Sequence, residues 1–347
     1  MGGMAPIWGF VADRYGHRLM IQRATFGAGL GVALIAFVQT PEQLLFLRVV
    51  HGFFTGVVSA IATLVSLTAP RQHLGTVLGM LQAAMFTGVS LGPLLGGAFV
   101  DHFGLRAACF STGVILFAMG LLVTVFVGEP SREPRRADAA AGPEAAGRRR
   151  LLRGDVIAVV GLMALARFAM MAPQPFLPLF VQQLVESQEG LATTIGLVLA
   201  AMGIASTVSA LLVGRLNSRF GQRATLIGCL LLATFFGALQ AGVTSVWQLL
   251  VIRIALGLAA GGTAPAIQAL LIEVTPAGRR GAAFGLLTMA NSAGSGGGPV
   301  LGSAVMASFG IQAVFLATAP AFGLAAAVVA RLTPRPARSG PTIMLPR

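Results

Sequence analysis

Residues 9–21 read GFVADRYGHRLMI, and residues 214–227 read GRLNSRFGQRATLI. Each is a short polar patch between long apolar walls, with Asp13, Arg14, His17 and Arg18 in the first and Arg215, Arg219 and Arg223 in the second. At an offset of 205, Gly9, Arg14, Gly16 and Arg18 fall on Gly214, Arg219, Gly221 and Arg223. The match runs outward from this pair. At the same offset Gln43, Leu44, Leu45, Arg48, Gly52 and Gly56 fall on Gln248, Leu249, Leu250, Arg253, Gly257 and Gly261. At an offset of 206, Gly75, Gly79, Gly88, Gly92, Pro93, Gly96, Phe103 and Gly104 fall on Gly281, Gly285, Gly294, Gly298, Pro299, Gly302, Phe309 and Gly310. One residue of slippage over so long a register marks an internal duplication.

Composition sets the medium in which the two copies fold. Of 347 residues 56% are hydrophobic and 10% charged, and the mean hydropathy is +0.84, whereas a soluble domain carries roughly 25% charged residues. Apolar runs of the ~20 residues that cross a bilayer recur at 19–38, 43–67, 74–99, 106–127, 155–183, 191–213, 224–243, 247–272, 281–306 and 311–331. These are ten complete spans, with residues 1–8 reading as the tail of another. A membrane β-barrel would alternate apolar and polar residues over short strands. These runs are continuous, so they predict helices, which satisfy their own backbone hydrogen bonds in lipid. Their many glycines then serve close helix packing. The expected fold class is an all-α membrane protein.

The net charge of +13 comes from 24 arginines and no lysine. Following the spans alternately, Arg14, Arg18, Arg71, Arg132 to Arg153, Arg215 to Arg223, Arg279, Arg280 and the tail from Arg331 share one side, and only Arg106 falls in a connection on the other. The positive-inside rule makes the arginine-rich side cytoplasmic. Orientation in a bilayer, not a nucleic-acid partner, accounts for the charge. Cys109 and Cys229 lie inside apolar runs with no metal-ligand spacing, and no metal or other cofactor is expected. The N-terminus has no basic stretch ahead of an apolar one and reads as no cleavable signal. No Ser/His/Asp set or phosphate-binding loop appears, so neither enzymatic activity nor direct ATP drive is expected.

Matching segments of the two copies face the same side of the membrane, which predicts a parallel repeat about an axis along the membrane normal. The expected division is an N-terminal bundle over 1–128, a cytoplasmic linker rich in Pro, Ala and Arg over 129–154, a C-terminal six-helix bundle over 155–332 and a cytoplasmic tail over 333–347. At an offset of 205 the counterpart of residue 155 falls fifty positions before residue 0. The plan is therefore a twelve-span one, with the first span and most of the second missing.

These motifs resemble those of the major facilitator superfamily, over the whole chain except the linker and tail. The loop motif G-x-x-x-D-R-x-G-R-R of that family stands here as Gly9, Asp13, Arg14, Gly16, His17 and Arg18 and departs from it at His17. The resemblance implies a latch on the cytoplasmic side made by Asp13 and Arg18, the acid meeting the positive end of a neighbouring helix. In the second copy Ser218 replaces the acid, so the latch is expected to be asymmetric. Arg48 with Gly52 and Gly56 matches R-x-x-x-G-x-x-x-G on the fourth span, which implies a role in proton coupling. Its place only about six residues from the outer end of its run leaves snorkelling to the interface open as well.

Gly88, Gly92, Pro93, Gly96 and Gly97 resemble the G-x-x-x-G-P-x-x-G-G motif typical of the superfamily's antiporters. A smooth glycine face and a proline bend suit a surface on which the two halves rock, although packing alone accounts for the same residues. On the seventh span of the family plan, prolines 173, 175 and 178 are expected to break the helix. Arg167 and Gln174 are expected in the cavity, with Met171 and Phe176 as an adaptable wall, and Asn291 is a further cavity candidate. The implied function is export of small amphipathic molecules or drugs in exchange for protons by alternating access. Such a protein would act as a monomer in the bacterial plasma or inner membrane. An uptake carrier and a non-transporting truncated remnant are the alternatives.

Overall fold

A computed structural model describes residues 16–54, 61, 64, 65, 68, 74–128, 154–185, 189–275 and 280–331. The first residues of the loop motif, Gly9, Asp13 and Arg14, lie outside them, as do the linker and the tail. The described elements are all helical. They are α1 (His17–Ile35), α2 (Pro41–Phe54), α3 (Leu74–Phe126), α4 (Gly154–Met171), α5 (Leu177–Leu184), α6 (Leu191–Phe220), α7 (Gln222–Leu239), α8 (Val246–Ala260), α9 (Thr263–Val274), α10 (Arg280–Phe309) and α11 (Ile311–Arg331).

Six stretches among the described residues are long and apolar enough to cross a membrane. One of them, Thr87–Phe126, is 40 residues long and holds half of the expected span 74–99 and nearly all of 106–127, joined where Gly104 leaves helical geometry at φ 82° and ψ 163°. The helix at 154–171 ends where the prolines predict, and a short 3-10 turn, Gln174–Phe176, leads into α5. The expected span 247–272 is likewise split, between α8 and α9 at Gly261 and Gly262. One expectation is corrected outright: the second polar patch is not a loop. Residues 214–220 continue α6 to Phe220, and Gly221 alone makes the turn. Arg215 and Arg219 thus lie on a helix that projects past its apolar part.

The glycines with positive φ expose the repeat in the backbone itself. Gly16 (φ 105°) and Gly221 (φ 83°) are 205 residues apart, and Gly104 (φ 82°) and Gly310 (φ 85°) are 206 apart. Gly104 and Gly310 each make a helix-to-helix turn, and Gly16 and Gly221 each stand immediately before the helix that follows. With ψ near 150°, Gly16 and Gly221 occupy a region essentially closed to residues with a Cβ.

The recurrence of Gln43 as Gln248 also has a local cause. The Gln43 N–H donates to the Thr40 hydroxyl at 3.4 Å, and the Gln43 side chain accepts from the Gln39 N–H at 3.0 Å. Gln248 repeats this with Ser245 at 3.4 Å and Thr244 at 3.0 Å. Both are reciprocal caps at a helix N-terminus, satisfying donors that the first turn leaves orphaned. At the first of these caps the Glu42 carboxyl is held below the usual carboxylate range, chiefly by its own backbone N–H and then by the Thr40 hydroxyl.

Packing is uneven between the copies. Two apolar clusters of buried side chains, one around Leu162, Leu226, Leu230, Ile267 and Leu271 and one around Leu177, Phe180, Val181, Leu249 and Phe315, lie wholly within residues 154–331. In the first copy α2 has no buried residue. There α1 packs on α3 backbone to backbone: a Cβ on Gly29 would lie 3.0 Å from the Gly113 carbonyl oxygen, and one on Gly113 would lie 2.6 Å from the Ala33 Cβ. This is the small-residue contact expected for helices in lipid.

Replacing Gly221 by Ala forces a Cβ into the glycine-only region and is expected to cost ~1–3 kcal/mol. Thermal unfolding of the purified protein in detergent checks this, with Gly228→Ala, in open space at ordinary φ, expected to melt as wild type or slightly higher.

Candidate functional site

The first copy of the arginine motif is tied down within its own half. Arg18 donates to the Thr124 carbonyl, in the last turn of α3, and the Gln22 amide donates to the Thr124 hydroxyl at 3.0 Å. In the second copy Arg223 donates to the Ala330 carbonyl, next to the last residue of α11. Arg18 and Arg223 are equivalent at offset 205, and Thr124 and Ala330 at 206. The pattern has a plain electrostatic cause. The last carbonyls of a helix are unsatisfied and carry the negative end of the dipole, so a guanidinium on the neighbouring helix is the natural partner.

Arg48 and its counterpart Arg253 have different surroundings. Arg253 is 2% exposed. It donates from Nη1 to the Met202 sulfur at 3.1 Å, while Nε and Nη2 have no hydrogen-bond partner among the described residues. Gly257 and Gly261, one and two turns on, let α8 lie against α6, where a Cβ would come within 2.7 Å of the Met202 carbonyl oxygen and 2.4 Å of the Ser206 Cα. Arg253, Gly257 and Gly261 therefore share the face turned to α6. Arg48 is exposed, and at the offset of 205 the counterparts of Met202 to Ser209 fall at or before residue 4, outside the described residues. Arg253 was legible in the sequence as the repeat of Arg48, but only its burial marks it out. A charged side chain deep in an apolar bundle is costly and points to function.

Two predicted cavity residues meet. The Nε of Arg167 on α4 donates to the Asn291 side-chain oxygen on α10, across 124 residues of sequence. Met171 ends α4 and Gln174 begins the 3-10 turn, and both are half-buried just past this pair. Phe176 departs from its expected place on a cavity wall. It is buried in the apolar cluster with Leu177 and Phe180, where its ring edge would lie 3.1 Å from a Cβ on Gly302. A separate cleft of about 370 Å³, lined by Ala36, Phe37, Gln39, Arg106, Ala107 and Phe110, holds none of the predicted residues.

The antiporter-type motif divides between two faces of α3. Pro93 and Gly97 face α6 in the other half, where a Cβ on Gly196 would lie 2.3 Å from the Pro93 carbonyl oxygen and one on Gly97 would lie 2.1 Å from that of Ala192. Ser90 meets Gly203 on the same face, at 3.1 Å from its would-be Cβ. Gly88, Gly92 and Gly96 point elsewhere, with no atom of the described residues within 4 Å of a Cβ on any of them. The second copy shows what such a face receives. There Gly294, Gly298 and Gly302 lie against Ala164, Phe168 and Ala172 of the segment around α4, at 2.3 to 3.1 Å from their would-be Cβ atoms. In this motif the contact between halves therefore runs through Pro93 and Gly97, whereas in the second copy the corresponding three-glycine face packs within its own bundle.

The Major Facilitator Superfamily model matches residues 1–193 and again residues 187–343. The chain is 34% identical over 317 residues to a multidrug resistance protein, MdtG, of Dickeya zeae, covering 91% of this chain and 77% of the relative. It is 31% identical over 315 residues to MdtG of Salmonella paratyphi A, covering 91% and 78%. Among solved structures, a nucleoside transporter, NupG, superposes with a TM-score of 0.75 at 16% identity, covering 95% of this chain and 87% of that one.

Gly196→Ala places a methyl group against the Pro93 carbonyl and is expected to destabilise the protein by ~1–3 kcal/mol through overpacking. Gly161→Ala, which meets no atom within 4 Å, is the matched control, and detergent melting curves of the two compare them directly.

Proposed function

Because the chain belongs to the major facilitator superfamily and is a multi-pass protein of the bacterial cell membrane, we propose that it exports small amphipathic molecules in exchange for protons. The observation that carries this reading is the 34% identity to a multidrug resistance protein along 91% of the chain, together with the G-x-x-x-G-P-x-x-G-G sequence at residues 88–97. The working unit is two helix bundles, 1–128 and 155–332, joined by the linker at 129–154 and followed by a tail over 333–347. Transport proceeds by exposing a site between the bundles to one side of the membrane and then the other.

Within this reading Asp13, with Gly9, Arg14, Gly16 and Arg18, latches the cytoplasmic side. The Arg18 bond to the end of α3 supports a positioning role, since it fixes the start of α1 against its own bundle. Arg48 sets the electrostatics of the coupling site, where a fixed cation favours the ionised form of a nearby acid. The half-buried Arg167–Asn291 pair, with Met171 and Gln174, offers a cation, an amide and a polarizable wall to the substrate. An arginine held by a neutral amide keeps free N–H donors, so the pair can bind polar or charged groups of a ligand without first breaking an ion pair.

Cells carrying the wild-type chain are expected to extrude fluorescent amphipathic dyes, and collapse of the proton gradient is expected to stop extrusion. Asp13→Asn and Arg48→Ala are each expected to abolish proton-driven efflux, at least tenfold in rate, while the protein remains in the membrane. Dye accumulation by the wild type in place of extrusion would establish an uptake carrier, and unimpaired efflux by either variant would remove that residue from the mechanism.

A further inference from the structure

At the outer ends of α3 and α6 a single acid joins the two halves. Asp101 Oδ1 accepts from the Ala192 N–H at 3.1 Å, and its Oδ2 accepts from the Thr193 N–H at 2.7 Å and from the Thr193 hydroxyl at 2.5 Å. The receiving helix has no cap of its own: Gly190 precedes it with φ 68° and no side-chain hydrogen bond, and its first turn contains no acid. The first N–H groups of a helix are unsatisfied and carry the positive end of its dipole. Asp101 supplies from another helix, 91 residues away in sequence, the carboxylate that a local cap residue would ordinarily provide.

We infer that Asp101 is the outer gate residue, its carboxylate holding the outer ends of the two halves together by capping α6 across their boundary. Three observations carry this. The bond closes a continuous antiparallel seam, in which Ser90 meets Gly203, Pro93 meets Gly196 and Gly97 meets Ala192 before Asp101 reaches the helix end. The seam's end lies opposite the arginine-rich side, because α6 runs from Leu191 to the cytoplasmic Arg215 and Arg219. The acid is also particular to one copy: its counterpart at offset 206 is Ala307, so it is not a requirement of the repeated fold.

Asp101 is exposed and its partners Ala192 and Thr193 are half-buried at the helix end, so water can replace each bond as the halves part. The gate is thus strong enough to bias the resting state and weak enough to release in each cycle. The inference rests on the reading of the chain as an alternating-access transporter, yet its first test, by thiol labelling, requires no substrate.

Ser90 is 5% exposed on the seam, and with Cys109 and Cys229 replaced, Ser90→Cys reports its opening to a membrane-impermeant maleimide added from outside. Loss of a helix cap of typical strength corresponds to roughly a tenfold change in the open fraction. Asp101→Ala is expected to raise the outside labelling rate of the Ser90→Cys thiol by about that factor. Asp101→Asn, which retains one acceptor oxygen, is expected to fall between, and Thr193→Val to give a smaller rise. Unchanged labelling in Asp101→Ala protein of wild-type abundance would overturn the gate, whatever the transport result. Should that variant fail to accumulate, a chain carrying Asp101→Cys and Thr193→Cys, with the two thiols joined by a short cleavable cross-linker, is expected to be inactive in dye efflux and to recover on cleavage of the linker. Full activity while cross-linked would overturn the gate equally. A labelling shift without any dye transport would keep the gate and reject the export reading.

Discussion

Between helices in a hydrocarbon layer there is no water to expel, so apolar side chains gain little by touching each other in place of lipid. What holds this molecule together is therefore the approach of backbone to backbone, and that depends on residues without a Cβ. The contact between halves is built on it, with Gly97 over the Ala192 carbonyl and Gly196 over that of Pro93. The contacts inside each half use the same device, at Gly29 with Gly113, at Gly261 with Ser206 and at Gly294 with Ala164. Large apolar side chains such as Phe126, Leu211 and Trp247 meanwhile stand exposed on the outside, where lipid serves as well as protein. The same dryness makes each unsatisfied polar group costly. Hence guanidiniums are drawn to helix C-termini at Thr124 and Ala330, and a carboxylate to a helix N-terminus at Ala192 and Thr193.

The duplication separates what the fold needs from what the function adds. Features kept in both copies are structural and have local causes: the glycine turns at 16 and 221, the reciprocal caps at Gln43 and Gln248, and the tethers of Arg18 and Arg223. Features present once are the ones that break the symmetry, as transport between two unlike compartments requires. Asp13 is matched by Ser218 and Asp101 by Ala307. One acid belongs to the cytoplasmic end and the other, on the structure, to the opposite end.

How far the site could be read in advance differs residue by residue. Arg167 and Asn291 are both legible as polar residues inside apolar runs, and a hydrogen bond brings them together. Phe176 was read from the same segment by the same logic and lies in a core cluster instead, because the 3-10 turn at Gln174–Phe176 rotates the chain and the ring then meets Gly302. The glycine motif at 88–97 was recognisable as a unit, but its division into an α6-facing pair and a three-glycine face depends on which helix approaches from which direction. Asp101 sits at the end of an apolar run like any solvated acid, and nothing in its neighbours in sequence distinguishes it.

The medium, the helical class, the orientation and the duplication were determined by the sequence alone, because each follows from quantities summed over many residues: apolar length, the absence of alternation, the one-sided placement of arginine and a sustained register of matches. The break at prolines 173 and 175 was local enough to read as well, whereas Pro178 falls in the first turn of α5, where a proline is tolerated. Only the tertiary structure decided the partners. A glycine face is equally ready for any helix, an arginine for any carbonyl end and an acid for any open N-terminus. The choice among them is made between segments such as Asp101 and Ala192, 91 residues apart, by the geometry of the assembled helices.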